Sequence, residues 1–271
     1  MAIQTAPPSS SGYNAPTTNG AAGSASAGAS EKTLLVLEAA LTHSRFTEVV
    51  EATGLAKATT HRILGTLVDR QFITVDADGN YLPGPKILSL AGMALQRIDI
   101  SAIARPFVDE LVAKTHCTVH LGVVNGDEII YLVRADSDRP YVMPSRVGLA
   151  IPMHSTGIGK VVLGSWAEDE LERFVARAGL PARTEHTITS LQGLRTEIAD
   201  VRRLGYAVDR EENVAGLGCV AAPIRDHTGT VTYGISISTL LIEHNPEEIE
   251  AMSALAVATA DKISAALGYR A

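Results

Sequence analysis

The chain predicts an α+β protein in two parts: an N-terminal winged helix-turn-helix, then a mixed antiparallel sheet flanked by helices. Three observations carry this. Residues 46–70, FTEVVEATGLAKATTHRILGTLVDR, read as a helix, a tight turn and a second helix. Residues 72–83 follow as a small hairpin around Asp76-Ala-Asp-Gly79-Asn80. From Thr118 onward, period-two alternation and hairpin turns are interleaved irregularly with helical periodicity, which argues against a doubly wound parallel sheet.

Residues 1–30 hold no charged side chain, and Ala, Ser, Gly, Thr and Pro make up twenty-four of the thirty. Such a segment buries too little apolar surface to offset its ordering entropy, so a disordered tail is expected over 1–30. Ser30 is placed as the cap of a helix over residues 31–41, with Leu34, Leu35 and Leu37 packing under the next two helices. Thr47 is expected to cap the first of those, because its hydroxyl can accept an orphan N–H of the opening turn. Val49 and Val50 point inward, Gly54 lets the chain turn, and Leu55 plugs the angle. In the second helix Ile63, Leu64, Leu67 and Val68 form the buried stripe.

The opposite face carries Lys57, Thr59, His61 and Arg62, with Thr60 beside them. Donors for guanine edges, and hydroxyls and N–H groups for phosphates, are what a helix in a DNA major groove needs. The expected DNA-binding set is therefore Thr47, Lys57, Thr59, Thr60, His61 and Arg62. An ordinary helical hairpin with a solvated polar face has the same spacing. The hairpin that follows decides between them: a strand over 72–75, a turn whose Gly79 can take positive φ, and a return strand at Tyr81-Leu82 that Pro83 soon stops. Residues 31–84 thus read as a winged helix-turn-helix that binds double-stranded DNA.

Pro85 suits a first helical position, and residues 86–97 read as a helix with Ile87, Leu88, Ala91 and Leu95 on one side, so 85–100 is the linker. Residues 101–271 make the second domain. It opens with a helix over 101–115 that Pro106 restarts or kinks. A hairpin over 118–124 and 128–134 turns at Asn125-Gly126-Asp127, and His120 on it reads as a sheet-surface residue. A strand broken by Pro144 is expected within 142–151, then a short helix ending near Trp166, and helices over 168–178 and 191–204. Strands over 206–209, 218–225 and 231–239 precede a final helix from Pro246 to Leu267.

With 271 residues, 46% apolar and 20% charged, two real cores are affordable. The net charge of −7 opposes DNA binding only until it is mapped: residues 31–97 hold seven Lys/Arg and seven Asp/Glu, while 98–271 hold sixteen against twenty-three. Cys117 and Cys219 have no metal-ligand spacing and suggest free thiols in a cytoplasmic protein. No run of about 18 apolar residues and no secretory signal pattern appears, so no membrane partner is expected.

HSTGIGKV, residues 154–161, resembles a phosphate loop but fails it, with His154 where Gly is needed and Val161 where Ser/Thr is needed. No cofactor is expected. Asp209, Cys219, Ser236 and Ser238 recur near the later strands. Ser236 and Ser238 are two apart and share a face, with Ile235 and Ile237 on the other, which suits either a small polar cup or solvent-facing serines.

ATGLAKATTHRILGTLVDRQFI and YLPGPKILSLAG resemble the N-terminal domain of the IclR family of bacterial transcription regulators. Thr60 stands where a small aliphatic is usual, and Leu82-Pro83 replaces Arg-Leu in the wing. From Ser101 to Leu267, through PMHSTGIGKVVL, GYAVDREENVAGLGCVAAPIRD and GISIS, the chain resembles the family's effector-binding domain, a GAF-like fold. The resemblance implies that the linker helix helps pair two subunits, as a homodimer or dimer of dimers. It also implies an effector pocket at Gly157, Ile158, Asp209, Leu217, Cys219, Ser236 and Ser238.

A small organic or aromatic acid, or a related polar metabolite, suits that set. Gly157 and Ile158 would offer amides at a helix start, the serines can donate or accept, and Leu217 and Met153 would wall the cup. Asp209 must then either receive a hydroxyl or N–H from the ligand or be held protonated. The expected function is a ligand-responsive regulator on operator DNA; the sign of regulation is not readable, with repression favoured. Two competing readings use the same residues: a hydrolase with Cys219 as nucleophile, His154 as base and Asp209 orienting it, or a metal site built from these three. Cys219 begins an apolar strand and not a sharp nucleophile turn, so the non-enzymatic reading is preferred.

Overall fold

A computed structural model describes residues 28–95, 97–137 and 143–270. Of the tail expected over 1–30, residues 1–27 lie outside the described residues and Ala29 and Ser30 belong to the first helix; the opening residue of the strand expected over 142–151 and the last residue of the chain also lie outside. The chain divides into two compact units between Ile98 and Asp99.

The first unit runs α1 (Ala29–Thr42), α2 (Phe46–Thr53), α3 (Lys57–Asp69), β1 (Ile73–Val75), β2 (Tyr81–Pro83) and α4 (Pro85–Leu95). Gly54 ends α2 in the left-handed region at φ 63°, and its N–H donates to the Val50 carbonyl, which makes the sharp turn into α3. Leu55, Ile63, Leu64 and Leu67 close on Val49 and on Val36, Ala39 and Ala40 of α1. β1 and β2 pair antiparallel around Asp76–Asn80, where Asp76 Oδ1 accepts the N–H of Asp78 and of Asn80 and Gly79 takes φ 80°.

Three expectations are corrected here. Ser30 does not cap α1; Gly28 occupies that position without a side-chain bond. Leu34 and Leu35 are exposed, and α1 buries Val36, Ala39 and Ala40 instead. Thr47 does not cap α2, because the half-buried Phe46 starts the helix earlier: Arg45 is the cap residue, and its N–H donates to Glu48 Oε2 at 3.0 Å.

The second unit opens with α5 (Ile100–Thr115), capped by Asp99, whose carboxylate accepts from the Ser101 and Ala102 amides. It runs through Pro106 as one helix. Strands β3 (Thr118–Asn125), β4 (Glu128–Ala135) and β5 (Ala150–Pro152) precede helices α6 (Gly157–Ser165), α7 (Glu168–Ala178) and α8 (Leu191–Leu204). Strands β6 (Ala207–Arg210), β7 (Leu217–Arg225) and β8 (Val231–Leu240) complete the sheet. The order is β5-β4-β3-β8-β7-β6, and every pairing is antiparallel. The expected single C-terminal helix is broken at Met252 into α9 (Pro246–Ala251) and α10 (Ser253–Ala266), with Asn245 and Glu248 exchanging hydrogen bonds at its start.

Both faces of the sheet are covered. Val119, Val220, Ile235 and Ile237 pack against α5 and α10, while Ala207 and Ala221 pack beneath Ile158 and Val161 of α6, with Leu171, Phe174, Leu194 and Ile198 behind. α6 is fixed closely from its other side as well. A Cβ at Gly159 would lie 2.2 Å from the Met153 backbone, so only glycine fits there. Met153 is therefore a support beneath α6 and does not wall the cup as expected.

Candidate functional site

On α3, Lys57, His61 and Arg62 are exposed and Thr59 is half-buried. The His61 ring stands edge-on to Phe46 at 6.1 Å, which ties the reading face to α2. No side chain caps α3, so its opening amides remain available to an anion. Thr47 is exposed on the first turn of α2. Thr60 departs from expectation: it is completely buried, and its hydroxyl donates to the Ala56 carbonyl at 3.3 Å. It lies three, four and seven residues before Ile63, Leu64 and Leu67, on the buried stripe of α3, and that spacing is the signal that places it in the core and not on the reading face. The wing turn carries Asp76 and Asp78, and the hydrogen bonds from Asn80 hold the Asp76 carboxyl below its ordinary range, so the tip is anionic.

In the second unit Gly157, Ile158, Asp209, Leu217, Cys219, Ser236 and Ser238 all line one cavity of about 580 Å³, mouth included. The strands explain how. Asp209 of β6 lies opposite Cys219 of β7, and Cys219 lies opposite Ser238 of β8. One polar row thus crosses three neighbouring strands on the α6 face. The helix start meets it there: Thr156 caps α6 by accepting the Gly159 N–H at 3.3 Å and donates to the Pro152 carbonyl at 2.6 Å. Among the described residues the Gly157 and Ile158 amides have no acceptor within the protein.

His120 corrects the sequence reading. It is 2% exposed and lines this cavity, because α6 covers the face that was expected to meet solvent. Its ring stacks on Tyr131 at 4.5 Å, and its nitrogens bond Ser145 Oγ at 2.8 Å and Ser238 Oγ at 3.3 Å. The Ser145 carbonyl is held by Arg134. Burial first, and Arg134 second, push the imidazole down to about 4, so the ring is neutral at neutral pH. Burial likewise pushes the Tyr131 phenol and the Cys219 thiol up. Asp209 is 4% exposed; burial raises its carboxyl to about 7, Lys160 opposes that, and Glu212 adds to it. Asn213, Tyr131 and Ser145 also line the cavity and were not anticipated.

The nucleophilic trio is not assembled. The His154 Nε2 faces the Pro181 carbonyl at 3.1 Å, and His154 is absent from the cavity that Cys219 and Asp209 share. Among the described residues no three His, Cys, Asp or Glu side chains are placed to hold a metal. No single helix among them is long and apolar enough to cross a membrane.

A winged reading head and a helix-covered sheet with a cavity that carries a row of polar side chains among apolar walls, in one chain, define a ligand-responsive transcription regulator. The profile of the IclR helix-turn-helix domain matches residues 31–77, and that of the bacterial transcriptional regulator IclR C-terminal domain matches residues 92–265. The chain belongs to the IclR family. It is similar to the HTH-type transcriptional regulator KdgR of Escherichia coli (strain K12), 34% identical over 224 residues, 82% of this chain and 85% of that one. It is also similar to the HTH-type transcriptional repressor AllR of the same strain, 31% identical over 218 residues, 80% of each. The crystal structure of Thermotoga maritima IclR superposes with a TM-score of 0.61 at 31% identity, covering 88% of this chain and 98% of that one. As a member of this family the protein is a regulator that binds operator DNA and answers to a small-molecule effector, and not an enzyme.

Proposed function

We propose that the cavity around Asp209, Cys219, Ser236 and Ser238 is the effector site, and that it takes a small organic acid or a related polar metabolite. The observation that carries this is the convergence of seven residues, from Gly157 to Ser238 in the sequence, on one cavity at a helix start. A carboxylate directed at the Gly157 and Ile158 amides gains from both the free N–H groups and the helix dipole. In the first unit, Lys57, Thr59, His61 and Arg62 read a major groove, with Thr47 near the backbone. The protein acts in the cytoplasm as a homodimer or dimer of dimers, and repression is the favoured sign because AllR is named a repressor. Effector alters operator affinity only by binding the two conformations of the oligomer unequally.

A thermal-shift screen of small carboxylates and aromatic acids identifies binders, which are then titrated by calorimetry into Ser236→Ala/Ser238→Ala. The double variant is expected to lose about tenfold or more in affinity, from about 1 kcal/mol per lost hydrogen bond. Unchanged affinity displaces the site. For pairing, α4 leaves Leu88, Leu90, Met93 and Leu95 exposed within the chain. Leu88→Ser/Met93→Ser is expected to raise the dimer dissociation constant by about a hundredfold or more, given roughly 1.5–3 kcal/mol per buried large apolar side chain. Sedimentation velocity reads this, and an unchanged mass distribution removes α4 from the interface.

A further inference from the structure

Lys160 is completely buried. An ammonium taken out of water is tolerated only if it is neutralised and fully hydrogen-bonded. Its Nζ donates to Glu197 Oε1 at 2.7 Å, to Glu212 Oε1, and to the Val208 carbonyl at 2.6 Å, which occupies all three protons. The acceptors belong to α8, to the loop after β6 and to β6 itself. Glu212 in turn donates its N–H to Asp209 Oδ1 at 2.8 Å, and its carbonyl receives the Thr187 hydroxyl at 2.7 Å. Lys160 therefore ties α6, whose opening turn meets the cavity, to the loop that brings Asn213, Val214 and Leu217 onto the cavity wall.

The charges in this cluster do not balance. One ammonium faces Glu197, Glu212 and Asp209. Glu197 is partly solvated, but Glu212 and Asp209 are 6% and 4% exposed, and Glu212 Oε2 has no hydrogen-bond partner. One cation cannot neutralise two buried carboxylates. The other groups facing Asp209 do not help: Cys219 on β7, Tyr131 on β4 and His120 on β3 are neutral at neutral pH. Arg210, its neighbour on β6, is half-exposed and paired with Glu250. No Lys or Arg lines the cavity among the described residues.

We propose that Lys160 is a positioning residue for this cavity: it holds the loop whose Glu212 N–H places the Asp209 carboxyl, while its own charge is engaged by Glu197 and Glu212, so Asp209 is left without a full counter-charge, keeps its proton and donates it in a hydrogen bond to an acidic ligand. The proposal rests on the cavity being the effector site. It decides between the two roles open to Asp209, and the carboxyl raised to about 7 accords with it. Acids then bind the protonated cavity, so their affinity falls about tenfold per pH unit above neutrality, while uncharged binders show no such fall.

The test needs no ligand. The Asp209 carboxyl is titrated by NMR in full-length protein labelled with ¹³C-aspartate, its resonance assigned by its absence in Asp209→Asn. Glu212→Gln removes a negative neighbour and is expected to move the midpoint down by about one pH unit; Lys160→Met removes the cation and is expected to move it up by about as much. Opposite movements from the two halves of one ion pair distinguish an electrostatic role from loss of packing, which moves both the same way. If Lys160→Met does not fold, Glu212→Gln carries the test alone. A midpoint unmoved in folded Glu212→Gln, or a wild-type midpoint near 4, overturns the proposal. Failure of the effector-site reading shows separately, as acid binding undiminished in Ser236→Ala/Ser238→Ala.

Discussion

Arg62→Ala in the full-length protein loses the mobility shift of operator DNA while its thermal midpoint stays at the wild-type value. Arg62 is exposed on α3 and stands outside the core formed by Ile63, Leu64 and Leu67, so its removal leaves folding untouched. A bidentate arginine–guanine contact is worth about 1–3 kcal/mol. Two half-sites on a symmetric operator compound this to a loss of about a hundredfold or more in affinity. Sequence preference at the contacted base pair relaxes at the same time, which a phosphate contact would not produce. Thr60→Val is the control: Thr60 is buried, so operator affinity stays within about twofold. Undiminished binding by Arg62→Ala places the reading face elsewhere.

Asp209→Asn changes the pH dependence of stability. Burial raises the native carboxyl from 3.8 to about 7, so between those values the folded state holds a proton that the unfolded state has released. Wild-type stability therefore falls, through this group, as pH rises from about 4 to about 7, and levels off above. The full difference is about 4 kcal/mol at 1.36 kcal/mol per pH unit. Asparagine is uncharged throughout and retains an oxygen for the Glu212 N–H, so the variant gains on the wild type across that window. His120 works in the opposite sense over part of it, losing stability as pH falls from 6.5 to about 4, but it does so in both proteins. Urea melts of the pair at half-unit pH intervals isolate Asp209; a difference that does not widen with pH means the carboxyl is already ionised in the native state.

What was legible in the sequence was what is local. Gly54 announced its turn because left-handed backbone favours glycine, and the helices over 168–178 and 191–204, each carrying exposed charges, stand where they were expected. Ser236 and Ser238 shared a face because a strand repeats every two residues. The misreadings depended on what lies across from a residue. His120 alternates just as a surface residue does, and only the pairing of β3 with β8 and the helix laid over that face bury it. Lys160 sat in a failed phosphate-loop pattern, and its partners Glu197 and Glu212 are remote in sequence. Thr47 and Ser30 missed their caps by a shift in helix start, the least certain feature of any pattern.

In the polar row, Cys219 and Ser238 sit on strands whose backbones are pinned on both sides by their neighbours, and Asp209 sits on the edge strand β6, paired along its length with β7. Their side chains meet the cavity while the alternate residues Val220 and Ile237 hold the opposite core. Exchanging one side chain on the inner face thus leaves the scaffold and the far side undisturbed. Chemical preference in such a chamber can therefore drift by single replacements, without loop remodelling.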